Sequence, residues 1–390
     1  MLTLIKNAHV FAPEDSGIND VLVGGDKIIA ISKKIDVPKE LVSDQVDFNG
    51  DRLIPGLIDA HVHAMGGGGE SGPQSRVPAV TLSQFTRHGV TSVVSVLGTD
   101  DLTRTISSQI TQVRALNTEG LTAYCHTGGY HVPLATLTGN AKSDIVHVEQ
   151  IIGVGELAIS DHRSSQPTLD EFLRLASEAY VAGLMTGKAG ILHLHMGDGK
   201  RGLELVRQAL DTAEIPARVY NPTHVNRNKP LFDEACEITK RGCHIDVTAF
   251  PVQDGENAWW AHEAIIKYFE RGLDRSKITV SSDGGGCLPI FNDQGEMLHM
   301  DVGSSELLVF TLDKLLKHGL KLEEVLPVFT TNVANLLKFN QKGRLAAGFD
   351  ADLVRLDSNN SIHSVMARGV WHIKSKAIVK RGFFEKEKPE

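Results

Sequence analysis

Between residues 53 and 340 the chain alternates short apolar runs with helical patterns, and this alternation limits the possible folds more than any other feature. Apolar runs begin near Leu53, Thr91, Leu121, Ile151, Ile191, Arg218, His244 and Ile278. Between several of them lie amphipathic stretches such as LDEFLRLASEAYVAGLM, RGLELVRQALDTA and NKPLFDEACEITKRG. Strand–helix alternation implies a parallel sheet. Eight such units in fewer than about 300 residues imply a (β/α)8 barrel of the TIM type. A doubly wound open sheet is the alternative, but no G-x-G-x-x-G opens a helix after the first strand. The flanks differ. LTLIKNAHVF, DVLVGGDKIIAIS, ADLVRLD and SIHSVMARGVWHIK are β-rich runs with turn residues between them. The expected organisation is a small β-sandwich domain from residues 1–52 and 342–390 around a catalytic barrel at 53–341.

Composition narrows the function. Lys+Arg 40 against Asp+Glu 48 gives a net charge of −8, the opposite of a nucleic-acid footprint. No apolar run approaches the roughly 18 residues that span a bilayer. The segment MLTLIKNAHVFAPEDSGIND turns acidic where a signal peptide would be cut, so a cytoplasmic protein is expected, with no nucleic-acid or membrane partner. Four cysteines form no CxxC pair, which gives neither a disulfide framework nor a cysteine zinc site. Histidine stands out, with 17 residues against 5 Tyr and 3 Trp.

Those histidines gather where a barrel keeps its chemistry, at the carboxyl ends of the strands. His61 and His63 are two apart on a strand and share a face, so two imidazoles can converge on one ion. The pair alone is also what an exposed strand face carries, but Leu53, Ile54, Leu57 and Ile58 before it read as a buried strand. His195 ends the fifth run, His224 the sixth, and Asp283 follows the eighth. Each alone reads as an ordinary polar residue; together they place five ligand-type groups round one mouth. Imidazole and carboxylate suit zinc and similar divalent ions. Asp283 can also serve as a proton acceptor or merely cap the turn before Gly284. His193 shares a face with His195 one pleat deeper, which suggests an interior or supporting role. The Gly66–Gly69 run lacks the Gly-Lys-Ser/Thr of a phosphate loop; it reads as a flexible loop that delivers Glu70 to the mouth.

The order D-A-H-V-H, strand-5 His, strand-6 His and strand-8 Asp resembles the amidohydrolase superfamily. The strings GGGGESGP, VLGTD, TGGYHVP, AISDHRS, HMGD, PTHVNRN and SSDGGG are similar, nearly end to end, to its isoaspartyl dipeptidases. The resemblance implies a zinc metallopeptidase acting on a small β-aspartyl dipeptide, and it points to a homo-oligomer. It also implies that His61, His63 and Asp283 bind one zinc ion and His195 and His224 another, with attack by a metal-bound hydroxide. By the same resemblance Asp283 is the catalytic base and acid, and Tyr130 polarises the scissile carbonyl. Glu70, with Thr99 nearby, holds the substrate ammonium, and Arg163 and Arg227 grip its carboxylates, which guanidinium forks match. Another amidohydrolase activity, on a cyclic amide or an N-acyl group, and a non-catalytic scaffold are the competing readings.

Two positions depart from the family. A carboxylated Lys usually bridges the metals from strand 4, whereas here Glu156 stands at that place. Its carboxyl carbon is three bonds closer to the backbone, on the order of 3–4 Å short. The string is one residue longer, with Gly155 before Glu156, and glycine often marks a bulge. The expectation is a bulge that pushes Glu156 inward to bridge the metals; the alternative is a buried acid beside a single ion. At position 287 a Cys replaces the family's substrate-binding Ser, and a thiol is the weaker donor.

Overall fold

The computed structural model describes residues 2–291 and 297–386. Eight parallel strands follow one another in sequence: β1 (Leu57–Val62), β2 (Val90–Ser95), β3 (Thr122–Thr127), β4 (Ile151–Ile159), β5 (Leu192–Met196), β6 (Tyr220–Thr223), β7 (Ile245–Thr248) and β8 (Ile278–Ser281). The first six form one curled sheet in chain order, and β7 pairs with β8. All eight are buried along their length apart from Tyr124, as near-continuous apolar runs in a parallel sheet require. Helices such as Ile106–Glu119, Leu169–Thr186 and Lys229–Thr239 connect them, and a large apolar cluster fills the space between helices and strands.

Side chains span the two gaps in the ladder. Between β6 and β7 the Asn226 amide takes the place of a strand: its Nδ2 donates to Thr248 O at 3.0 Å and its Oδ1 accepts from Thr248 N at 2.8 Å. Asp246, buried on β7, accepts from Thr223, Thr279 and Ser281. On the other side, Val62 bridges to Gly284 just after β8, and Asp59 accepts from the Ser282 amide at 3.0 Å and its hydroxyl at 2.5 Å. Asp59 also accepts from the Ser305 hydroxyl at 3.1 Å, and burial pushes its carboxyl up to about 6 despite these donors.

Both chain ends enter one nine-stranded mixed sheet. The strand Leu2–Phe11 pairs with Asp15–Gly24, and the hairpin to Lys27–Ser32 turns through Gly25 at φ +63°, a conformation glycine adopts without strain. The sheet encloses its own core of Ile5, Val10, Val21, Ile28, Leu53, Leu353 and Met366. The apolar run that begins at Leu53 divides, which the sequence does not foretell. Arg52–Pro55 pairs with Leu353–Leu356 in the mixed sheet, and only after Gly56 does β1 begin. A Cβ on Gly56 would lie 2.1 Å from Thr91 Oγ1, so the close passage between the two sheets requires glycine. Among the described residues no helix is long and apolar enough to cross a membrane.

The bulge expected in β4 is present. Leu192 faces Val154 and Leu194 faces Leu157, so Gly155 and Glu156 together oppose the single residue His193. The space beside Gly155 is closed: a Cβ there would meet the His193 Cβ at 2.8 Å and its carbonyl at 3.1 Å. Gly155→Ala should therefore cost about 1–3 kcal/mol of stability, as overpacking a tight site does, and it should displace Glu156. A lowered melting temperature together with reduced metal content checks this; wild-type values of both would mean that the bulge tolerates a side chain.

Candidate metal centre

β1 places His61 and His63 on one face at its carboxyl end, with His61 fully buried and His63 nearly so. The β4 bulge brings Glu156 into the middle of the group. One carboxylate oxygen, Oε1, lies 3.4 Å from His63 Nε2. The other, Oε2, lies 3.2 Å from His195 Nδ1, 3.5 Å from His61 Nε2 and 3.6 Å from His224 Nε2. Asp283 Oδ1 is 3.1 Å from His63 Nε2 and 3.5 Å from His61 Nε2. The groups His61–His63–Glu156, His61–His224–Asp283 and Glu156–His195–His224 each offer ligand atoms within 4.8 Å of one another. The structure thus brings together all six residues singled out as ligands from the sequence.

Electrostatics and orphaned atoms fit a cation. His61 Nε2, Glu156 Oε1 and Asp283 Oδ1 are buried with no hydrogen-bond partner, although buried polar atoms normally have one. Burial works against the Glu156 carboxylate, yet His61, His195 and His224 hold it well below the ordinary carboxylate range. Asp283, opposed by burial but facing His61 and His63, is also held ionised. Burial disfavours a charge on His61, but Glu156 and Asp283 raise it to about 9. A buried and a partly buried anion thus face converging imidazoles, the donor set of zinc and related divalent ions.

Outer partners fix the rings, as they do around most protein-bound metals. His224 Nδ1 lies 2.7 Å from Thr248 Oγ1. His195 Nε2 is 3.0 Å from Asp161 Oδ2, and His61 Nδ1 is 2.8 Å from His193 Nε2. Backbone shape contributes as well. His224 and Asp283 sit at φ +61° and +52°, a left-handed region that is uncommon for residues other than Gly. A Cβ on Gly286 would strike Asp283 Oδ1 at 2.4 Å, so the three-glycine string seats this carboxylate.

The remaining candidates line the same cavity, of about 620 Å³. Thr99, Glu70, Tyr130, Arg163, Arg227 and Cys287 all border it. Arg163 donates to Asp161 Oδ2 at 2.9 Å and to Glu70 Oε1 at 3.2 Å; although burial opposes its charge, Asp161, Tyr130 and Glu70 raise it further. Arg227 forks onto Asp198 at 3.1 and 2.8 Å and donates to Met196 O at 2.8 Å. Tyr130 OH lies 2.8 Å from His195 Nδ1, and burial and then Glu156 push it well above its ordinary value, so it remains a donor. The Cys287 thiol donates to Glu70 Oε1 at 3.1 Å. Burial and Glu70 push that thiol well up, which suits a packing and hydrogen-bonding role and not a nucleophile.

Several participants carry no role in the sequence reading. Asp161, inside the string SDHR, joins His195 to Arg163. Asp198, inside HMGD, holds Arg227. Arg104 donates to the carbonyls of Gly67 and Gly68 and to Asp100, pinning the loop that carries Glu70. His131 lies 2.9 Å from Asp101 Oδ2 and 3.1 Å from the Arg163 carbonyl. A carboxylate one or two positions past a strand end was the available signal for Asp161. His162 is exposed and takes no part in the cavity lining.

Fold and cavity together define a parallel α/β protein with a His- and carboxylate-lined centre at its strand ends. The chain belongs to the amidohydrolase family, whose model matches residues 52–372. It is 42% identical to the beta-aspartyl dipeptidase of the thermophilic, keratin-degrading Fervidobacterium islandicum AW-1, solved in complex with a beta-Asp-Leu dipeptide; the likeness covers 98% of this chain and 100% of that one, with a TM-score of 0.91. It is also similar to a dihydroorotase of Pediococcus pentosaceus, 24% identical over 251 residues, and there the match spans 62% of this chain but only 55% of the relative. A deacetylase of Brucella anthropi is 22% identical over 401 residues, covering 93% of this chain and 87% of the relative.

Proposed function

We propose that the chain hydrolyses β-aspartyl dipeptides with the help of two zinc ions. The observation that carries this reading is the meeting, in one cavity, of the candidate metal ligands with the Glu70 carboxylate and the guanidinium groups of Arg163 and Arg227. A β-aspartyl dipeptide has one ammonium and two carboxylates, which Glu70, Arg163 and Arg227 complement in number and sign. The 42% identity to the Fervidobacterium dipeptidase supports the same substrate class. On this reading the parallel strands close into a (β/α)8 barrel, and the two chain ends form the second domain; the first boundary, expected at 52/53, moves to Gly56, because Arg52–Pro55 pairs with Leu353–Leu356 in the terminal sheet.

His61, His63 and Asp283 would hold one ion and His195 and His224 the other, with Glu156 between them. When bound, the ions polarise the scissile carbonyl and make a water acidic enough to attack at neutral pH. Asp283 would accept a proton from the attacking water on a carboxylate oxygen and pass it to the departing amide nitrogen. Tyr130 donates to the carbonyl oxygen as negative charge builds there. Glu70 and Thr99 seat the ammonium, Arg163 and Arg227 orient the carboxylates, and Cys287 holds Glu70 by its thiol.

The zinc-loaded protein should release leucine from β-Asp-Leu and leave hydantoins and N-acetyl amino acids intact. Arg163→Lys should then weaken use of β-Asp-Leu by about 1–3 kcal/mol, or roughly 10–100-fold in kcat/KM, since an ammonium cannot replace a bidentate fork. Turnover of N-acetyl compounds with none of β-Asp-Leu would overturn the proposal.

A further inference from the structure

The candidate ligand histidines differ in what holds their second ring nitrogen. His195 turns to the carboxylate of Asp161 and His224 to the hydroxyl of Thr248. His61 turns to another histidine: its Nδ1 lies 2.8 Å from His193 Nε2. The His193 Nδ1 in turn lies 2.7 Å from Asn221 Oδ1, and Asn221 Nδ2 donates to the His244 carbonyl at 3.2 Å. His61, His193 and Asn221 are all essentially excluded from solvent.

The protons of this chain of groups follow by elimination. A carbonyl oxygen only accepts, so the amide nitrogen of Asn221 faces His244 and its oxygen faces His193. That oxygen also only accepts, so His193 carries a proton on Nδ1. No carboxylate touches His193, and a buried unpaired charge is costly; the ring is neutral and its Nε2 holds a lone pair. His61 must therefore donate from Nδ1. With that proton held on Nδ1, the nitrogen left to give its lone pair to a cation is Nε2, the atom that lies 3.5 Å from both Glu156 Oε2 and Asp283 Oδ1 and has no hydrogen-bond partner.

We infer that Asn221 is a positioning residue for the metal centre, acting through His193 to keep His61 in the tautomer that can ligate. This rests on reading the cluster as a metal site. An imidazole binds a cation only through an unprotonated nitrogen, and its other nitrogen decides which one that is. If the Asn221 oxygen is removed, His193 is free to carry its proton on Nε2. It then presents N–H to His61 Nδ1 and drives the His61 proton onto Nε2, where it blocks the cation. The relay crosses β1, β5 and β6, so a residue on β6 acts on a ligand of β1.

The test uses the full chain and zinc alone. Asn221→Leu keeps the volume and removes the acceptor, whereas Asn221→Asp keeps an acceptor against His193. Competition with a chromophoric chelator should show zinc binding weakened about 10–100-fold in Asn221→Leu, and much less in Asn221→Asp. In the zinc-loaded wild type, 15N histidine spectra should show both His61 and His193 with the proton on Nδ1; this reading remains available if Asn221→Leu does not fold. Equal zinc affinity in wild type and Asn221→Leu, or a His61 proton on Nε2, would overturn the relay while leaving the metal centre standing. A wild-type chain that takes up no zinc overturns both.

Discussion

Asp283→Asn should leave a folded protein whose turnover of β-Asp-Leu falls by about 10³–10⁴-fold, equivalent to roughly 4–5.5 kcal/mol of barrier. The side chain has two duties and an amide can perform neither well. Its Oδ1 sits 3.1 Å from His63 Nε2 and 3.5 Å from His61 Nε2, where an amide nitrogen would place protons against the atoms meant to hold a cation. Nor can an amide take up the proton that a carboxylate accepts from water. The carboxylate cannot be replaced by movement elsewhere, since Gly284–Gly286 and a backbone φ of +52° fix its place. Zinc content measured on the same sample separates the two duties. Loss of turnover with zinc retained assigns proton transfer to Asp283, and loss of both assigns ligation. Wild-type turnover would remove Asp283 from the mechanism altogether.

The second large effect is expected at Glu156. Glu156→Asp shortens the side chain by one carbon, about 1.5 Å, and the present geometry has little to spare. One oxygen stands 3.4 Å from His63 Nε2 and the other 3.2 Å from His195 Nδ1, so the carboxylate already spans the two histidine groups. A shorter carboxylate reaches one group only. If the chain binds two zinc ions as proposed, the expected result is a fall to one or none, with at least a hundredfold loss of turnover, on the order of 3 kcal/mol. Metal analysis by mass spectrometry gives the stoichiometry directly. Two zinc ions bound by Glu156→Asp would show that the carboxylate does not bridge. The variant also leaves His61, His195 and His224 with a more distant counter-charge in a buried place, so its melting temperature without metal should drop.

Glu156 marks where the legibility of the sequence ends. Gly155 just before it, in a string one residue longer than the family's, suggested a bulge, and the paired register carries one: Gly155 and Glu156 oppose His193. What the sequence does not contain is the distance to four imidazoles on three other strands. Asp161, Asn221 and Thr248 illustrate the same limit. Each is an ordinary polar residue on or beside a strand, and only the side-by-side packing of β4, β5, β6 and β7 brings them against His195, His193 and His224.

The first apolar run shows a different kind of limit. From Leu53 to Val62 it reads as one strand, but Gly56 separates a piece in the terminal sheet from β1. Periodicity reports how residues alternate between faces, and two consecutive buried strands in different sheets alternate alike.

The sequence by itself determined the strand–helix order, the β-rich ends, and the residue types that stand at the carboxyl ends of the strands. These are local properties: apolar periodicity, turn chemistry and the two-residue repeat that sets His61 and His63 on one face. Tertiary structure alone decided which side chains meet. Contacts such as Asp59 with Ser282, 223 residues apart, or His61 with His193, 132 apart, arise from the closure of strands that no local pattern encodes. They set the partners and direction of each candidate ligand, and so turn a set of histidines into a cluster that could hold a cation.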